Sequence, residues 1–276
     1  MTQHPLPYDT LVTRNDGYVT PEAQDRLRRL RVLIAGCGIG SSFAELAVRM
    51  GIEHITLADA DTVGDTNLNR QFFSATDIGT SKVKALAARL RAINPAALIT
   101  EVDQYLDKDN TAALVSQADF IFDTIDFLAL GAIVGLHDEC RRQQKPVITA
   151  LAIGWGAGVI YFPPGGPHSF RRLFGLPETG PIDHIPYTVA FGGVMQRFAD
   201  RLDPTVVAVV ARALTVMEDG RPCPASQVAP GSFAVAALAG SMVHRLMSGL
   251  PVREAPELVI AQMPETLTAP GLNLLD

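Results

Sequence analysis

The sequence predicts an α/β fold built on a doubly wound, mostly parallel sheet with a less regular C-terminal half, and three observations carry that prediction. Residues 31 to 61, "RVLIAGCGIGSSFAELAVRMGIEHITLADAD", read as a strand, a glycine turn, a helix and a second strand ending in acid. Strand and helix patterns keep alternating to residue 153, as parallel strands joined by crossover helices must. At Pro163 the composition turns to proline and glycine, and the alternation stops.

The elements follow in order. In "VTPEAQDRLRRL", residues 19 to 30, Thr20 suits an N-cap and Pro21 the first helical position, so a short helix leads into the first strand, Arg31 to Ala35. A helix from Ser42 to Met50 comes next, closed by Gly51 where a left-handed residue is wanted. His54 to Ala58 is the second strand, and a helix from Ser81 to Ile93 ends before Asn94-Pro95. Leu98 to Val102 is the third strand, and the apolar run in "ADFIFDTID", 118 to 126, the fourth. A helix from about Leu128 to Gln144 leads to the fifth, "KPVITALAI". Residues 163 to 186 read as an irregular surface excursion, and Pro204 to Met217 and Gly231 to Ser248 as apolar helices. One domain over residues 1–276 is expected, with a Rossmann-like nucleotide-binding half at about 30–162 and a loop and C-terminal substrate half at about 163–276.

Composition narrows the partners. A net charge of -6 argues against nucleic acid or an anionic membrane surface, which need a phosphate-neutralising excess of Lys and Arg. The N-terminal "MTQHPLPYDT" lacks the basic and apolar segments of a secretory signal, and no apolar stretch suits a bilayer span, so a cytoplasmic protein is expected. Cys37, Cys140 and Cys223 form no CxxC pair, so neither a disulfide framework nor a structural zinc is expected.

Gly36, Gly38 and Gly40 allow a tight turn and close approach to a phosphate, ahead of a helix whose first N–H groups are unpaired. Asp59, ending the second strand, stands where an acid accepts hydrogen bonds from a ribose. NAD and ATP fit these features equally well. The downstream "DADTVGDTNLNRQFF" favours ATP: Asn67, Arg70 and Gln71 fall at the ligand edge of the sheet, and Arg70 with Lys82 supplies the cations a reacting triphosphate needs. In "FDTID", Asp123 or Asp126 leaves the sheet at the same edge, and Asp126, past the buried run, is the better magnesium ligand; it also suits an N-cap.

Together these residues resemble the ThiF/MoeB/HesA family of ATP-dependent adenylyltransferases, relatives of ubiquitin-activating enzymes. The resemblance spans "RNDGYVTPEAQDRLRRLRVLIAGCGIGS", "LADADTVGDTNLNRQFF", "IGTSKVKALAARLRAINP", "FIFDTID" and "PVITALAIGWGAGVIYF". It implies that Gly36, Gly38 and Gly40 cradle ATP, that Asp59 of the Asp59-x-Asp61 pair holds the ribose, and that Asn67, Arg70 and Lys82 contact phosphates beside Gln71, with Asp126 on Mg2+. It implies a homodimer in which Arg14 reaches the partner's ATP site, and a carboxylate substrate, most often the C-terminus of a small ubiquitin-like or sulfur-carrier protein, activated as an acyl adenylate. Cys223 falls where the family has a cysteine that can carry the acyl group. The sequence departs from the family in a glycine turn one residue short of G-x-G-x-x-G, in Phe127 where asparagine is common, in lacking zinc-binding CxxC pairs, and in having no appended ubiquitin-fold or rhodanese domain. In "HSFRRLFGL", Arg171 and Arg172 suit an acidic substrate.

Two other classes stand beside the adenylating enzyme. An inactive ATP- or partner-binding subunit of a two-chain activating enzyme would have no need to keep Arg70, Lys82 and Asp126 together. A nicotinamide-dependent oxidoreductase leaves Arg70 and Lys82 without a task.

Overall fold

All five strands expected before Pro163 form, and the sheet continues beyond them. The computed structural model describes residues 6–182, 184–224 and 226–271. Helices α1 (Tyr8–Val12) and α2 (Pro21–Arg29) precede β1 (Arg31–Ala35), α3 (Gly40–Arg49), β2 (His54–Ala58), α4 (Lys82–Ile93) and β3 (Leu98–Val102). Then come α5 (Thr111–Gln117), β4 (Phe120–Asp123), α6 (Leu130–Arg142), β5 (Val147–Ile153) and β6 (Gly156–Phe162). The second half holds α7 (Phe170–Leu173), α8 (Tyr187–Gln196), α9 (Pro204–Glu218), α10 (Ala229–Met247), β7 (Val259–Gln262) and α11 (Met263–Thr268).

The seven strands lie in the order β3-β2-β1-β4-β5-β6-β7. β1 to β5 run parallel, while β6 and β7 add on antiparallel. From β1 the chain moves outward one way to β2 and β3, then crosses back to β4 on the other side. The strand order therefore reverses between β1 and β4, and a crevice opens at their carboxyl ends, where ligands of such sheets bind.

The alternation along each strand sorts the core into two layers. Val32 and Ile34 of β1, Phe120 and Phe122 of β4 and Ile148 of β5 point to the layer covered by α3, α4 and α10; Phe43 of α3 stacks on Phe122 at 4.0 Å. Leu33, Ile121 and Val147 point to the opposite layer, under α5 and α6. Burying both faces explains why these strands read as apolar runs.

Local chemistry ends the elements where expected, with a few shifts. Thr20 caps α2 by accepting from the Ala23 N–H, and Gly51 after α3 adopts φ 95°. α3 begins earlier than expected, at Gly40, because Ile39 is already helical and Ser41 and Ser42 bond back to Gly38 and Ile39. β4 ends at Asp123, and its last ladder bond runs from the Thr124 N–H to the Ala35 carbonyl. The helix expected from Leu128 opens as a 3-10 turn, Phe127–Ala129, before α6. β6, β7 and α8 were not anticipated, since β6 is buried throughout and shows no alternation to read. Among the described residues, no helix is long and apolar enough to cross a membrane.

Candidate nucleotide site

A cleft of about 730 Å³ lies at the carboxyl ends of β1, β2, β4 and β5. Its polar end begins at the glycine turn. Gly36 has φ 89°, and a Cβ there would stand 2.6 Å from the Thr124 carbonyl oxygen, so only glycine lets β1 turn beneath β4. Gly38 lines the cleft against the Gln71 side chain, and a Cβ there would lie 3.2 Å from Gln71 Nε2, tighter than ordinary packing. Gly40 is not among the residues lining the cleft: a Cβ there would lie 2.5 Å from Thr124 Oγ1, so its small size serves helix-on-strand packing.

Asp59 at the end of β2 holds the turn in place. Its Oδ2 accepts the Cys37 N–H at 2.7 Å and its Oδ1 the Asp61 N–H at 2.8 Å, and it lines the cleft while nearly buried. Each oxygen keeps lone-pair capacity for a ribose hydroxyl. Asp61 pairs with the buried Lys82 at 2.7 Å, and the Tyr105 hydroxyl donates to its other oxygen. Burial alone would raise the Asp61 pKa, but these two hydrogen bonds outweigh it and hold the carboxyl below its usual value. Donating to Asp61, and the charge there, push the Tyr105 hydroxyl up to about 12. Tyr105 carried no sequence signal; an exposed tyrosine on a polar loop looks the same whether or not it borders a cleft.

Arg70 lines the same end. Its Nε donates to Gln227 Oε1, and one terminal nitrogen donates to the Thr66 carbonyl and to Asn69 Oδ1, each at 3.0 Å. Partial burial lowers its pKa from the ordinary value, and Asp126 opposes that shift by its charge. Asp126 lines the cleft, and its Oδ1 caps the 3-10 turn by accepting the Leu128 N–H at 3.0 Å, which is the N-cap role expected of it. Asp123, weighed beside it, is buried. Its Oδ2 accepts from the Thr149 hydroxyl at 2.9 Å and lies 3.1 Å from His137 Nε2, while Oδ1 accepts the Ile125 N–H. It braces the turn that presents Asp126.

Two expected contacts fall elsewhere. Asn67 does not line the cleft; its Oδ1 accepts the Gly64 N–H at 3.0 Å and closes its own turn. Arg171 is buried, holding Asp138 through Nε and a terminal nitrogen and the Pro177 carbonyl, so it is spent inside the protein and is not offered to an acidic substrate. Gln71 is buried in the cleft wall, and its Oε1 is left without a hydrogen-bond partner. Cys223 is partly exposed on the cleft wall, whereas Cys37 and Cys140 are buried and burial pushes both thiols up. Arg14 lies exposed in the turn Thr13–Asn15 and does not border its own cleft.

The cleft's other end is apolar. Ala150 to Trp155, Phe191 and Met195 of α8, and Val206, Val209 and Val210 of α9 form it. Phe127 packs into this side against Phe191 at 5.2 Å and Phe174 at 5.9 Å.

Comparison with known proteins fits this geometry. A SAMP-activating enzyme E1 of Haloferax volcanii is 29% identical over 177 residues, covering 63% of this chain and 64% of its own. A tRNA threonylcarbamoyladenosine dehydratase of Escherichia coli is 39% identical over 119 residues, covering 42% and 44%, and the molybdopterin-synthase adenylyltransferase of Escherichia coli is 32% identical over 160 residues, covering 56% and 64%. The chain thus spans less than two thirds of the length of these relatives. The fold recurs in the crystal structure of PaaA, with TM-score 0.62 and 20% identity over 92% of this chain and 66% of that one, and in Escherichia coli MccB with ATP, with TM-score 0.62 and 22% identity over 87% and 66%. A family match running from residue 13 to residue 268 takes in every element that lines the cleft, and this chain belongs to the ThiF family.

Proposed function

We propose that this chain is an ATP-dependent adenylyltransferase that activates a carboxylate, the C-terminus of a small ubiquitin-like or sulfur-carrier protein or peptide, as an acyl adenylate. One observation carries the reading: Arg70, Lys82 and Asp126 converge on the polar end of one cleft, beside Gly36, Gly38 and Asp59. The relatives named as a SAMP-activating enzyme and a molybdopterin-synthase adenylyltransferase support it. The dehydratase is named for a tRNA nucleoside, but a chain of net charge -6 lacks the basic excess that tRNA binding uses. The C-terminal half, from about residue 163, is taken as the substrate side.

In the reaction a carboxylate oxygen of the substrate bonds to the α-phosphorus of ATP, the bond from that phosphorus to its bridging oxygen breaks, and pyrophosphate leaves. No proton need move, so the work is electrostatic. Lys82 gives one of its three donors to Asp61 and has two left for phosphate oxygens. Arg70 meets the charge that grows on the equatorial oxygens. Asp59 has acceptor capacity left for ribose hydroxyls. Among the described residues no cluster of three His, Cys, Asp or Glu is placed to hold a metal, yet magnesium commonly takes one or two carboxylates and completes its shell with water and substrate phosphates, so Asp126 alone fits it. Bound there, magnesium would neutralise phosphate charge.

The test is magnesium-dependent exchange of labelled pyrophosphate into ATP, with free-carboxylate peptides and carrier proteins as co-substrates. Exchange that requires a carboxylate is expected; ATP binding without exchange would favour the inactive-subunit reading instead. Cys223→Ser is expected to keep exchange and lose any thioester. The homodimer reading assigns Arg14 to the partner's cleft, which predicts complementation: equal mixing and exchange of subunits between Arg14→Ala and Arg70→Ala should restore about a quarter of the intact sites. Recovery no greater than the sum of the separate variants would remove Arg14 from the site.

A further inference from the structure

Two stretches far apart in the chain meet at Arg70. Its Nη1 donates to Asn69 Oδ1 at 3.0 Å, Asn69 Nδ2 donates to the Gln227 carbonyl at 3.0 Å, and Arg70 Nε donates to Gln227 Oε1, which closes a circuit of three residues. Close by, the Phe72 ring lies 4.9 Å from that of Phe233 on α10, so the β2–α4 connection is fastened to the entry of α10 at two points. The Phe72 N–H also donates to Ser41 Oγ at 2.9 Å, which ties the connection to the first turn of α3. Gln227 follows Cys223 by four residues, and both line the wall of the nucleotide cleft.

The circuit sets the guanidinium. Thr66 and Asn69, which occupy Nη1, belong to the turn that carries Arg70 and move with it; Gln227 comes from the other half of the chain. Among the described residues, Nη2 is the one nitrogen of this guanidinium without an acceptor. The fork is planar and rigid, so holding Nε and Nη1 also decides where Nη2 points.

We propose that Gln227 is a positioning residue: it aims Arg70, and through the same contact Arg70 holds the wall that carries Cys223, so the setting of the guanidinium and the exposure of the thiol are coupled. The proposal rests on the adenylation reading only for what Nη2 meets, the phosphates. Losing the Gln227 acceptor leaves an N–H of a half-buried arginine unpaired, which favours a swing of the guanidinium toward water. The same loss releases the chain ahead of α10. A contact that couples two elements is reciprocal, so removing either partner must loosen both.

Iodoacetamide on the full chain without nucleotide reads the coupling, because Cys37 and Cys140 are buried and Cys223 is the accessible thiol. Gln227→Ala is expected to alkylate at Cys223 about tenfold faster than the wild type, and Arg70→Ala to the same extent, with no further rise in the double variant. Gln227→Glu keeps an acceptor for Nε and should restore the slow rate. In magnesium-dependent pyrophosphate exchange, Gln227→Ala is expected to lower kcat about tenfold, to change the KM for ATP far less, and to cost nothing more once Arg70 is already alanine. A general loss of fold would instead label all three cysteines and add to the Arg70→Ala loss. Wild-type alkylation in Gln227→Ala, or effects that add fully in the double variant, would overturn the proposal and leave adenylation standing. A wild-type chain without carboxylate-dependent exchange would overturn adenylation, while the alkylation rates, which need no nucleotide, still decide the coupling.

Discussion

Replacing Arg70 with alanine should lower kcat for adenylate formation by ~10²–10³-fold, about 3–4 kcal/mol, the cost typical of removing one fixed donor aimed at transition-state charge. The expectation follows from where Arg70 sits. Part of its guanidinium is taken from water, and Gln227, Thr66 and Asn69 orient it before any substrate arrives. A pre-oriented cation needs no rearrangement as charge develops on the phosphates, so its loss falls on the chemical step more than on ATP affinity. Arg70→Lys keeps the charge without the fork of donors and should fall between the two. Single-turnover rates beside ATP dissociation constants check this; equal losses in both would make Arg70 a binding residue only.

Asp126 permits a cleaner separation, because the proposed magnesium ligand is also the cap of the 3-10 turn. Asp126→Asn keeps a side-chain oxygen that can cap the 3-10 turn but removes the negative charge; Asp126→Ala removes both. Both variants should lose magnesium-dependent turnover by several kcal/mol of transition-state stabilisation. Only the alanine variant should also lose stability, by ~1 kcal/mol. Exchange rates across a magnesium titration, set beside thermal unfolding, decide it. An asparagine variant with wild-type magnesium dependence would remove this residue from the metal assignment.

How much of this was legible from residues alone depends on the range of the interaction. Gly36, Asp59 and Asp126 sit just beyond the ends of strands whose pattern is plain, and the parallel topology carries strand ends to one edge, where the β2–α4 connection brings Arg70 and Lys82. Gly40 and Asn67 share the same stretches, yet one is spent on packing against Thr124 and the other on closing its own turn. Spacing cannot separate these uses, since both demand the same residue type in the same place. Tyr105 and Gln227 reach the site from loops whose paths no local pattern sets. Arg171 misled for a related reason: a charge in a proline-rich loop reads as exposed until its partner Asp138, on α6, is brought beside it.

The sequence by itself determined the alternation of strands and helices, the glycine turn, the strand-end acids and the family resemblance, because these rest on periodicity and spacing within short segments of chain. Only the tertiary structure decided which polar groups face the cleft and which are consumed in holding it. It also decided that β6 and β7 extend the sheet, that Asp123 is locked beneath the turn carrying Asp126, and that α8 and α9 supply an uncharged wall. Burial and partner choice arise between residues far apart in the chain, and they become fixed only when the packed layers bring those residues together.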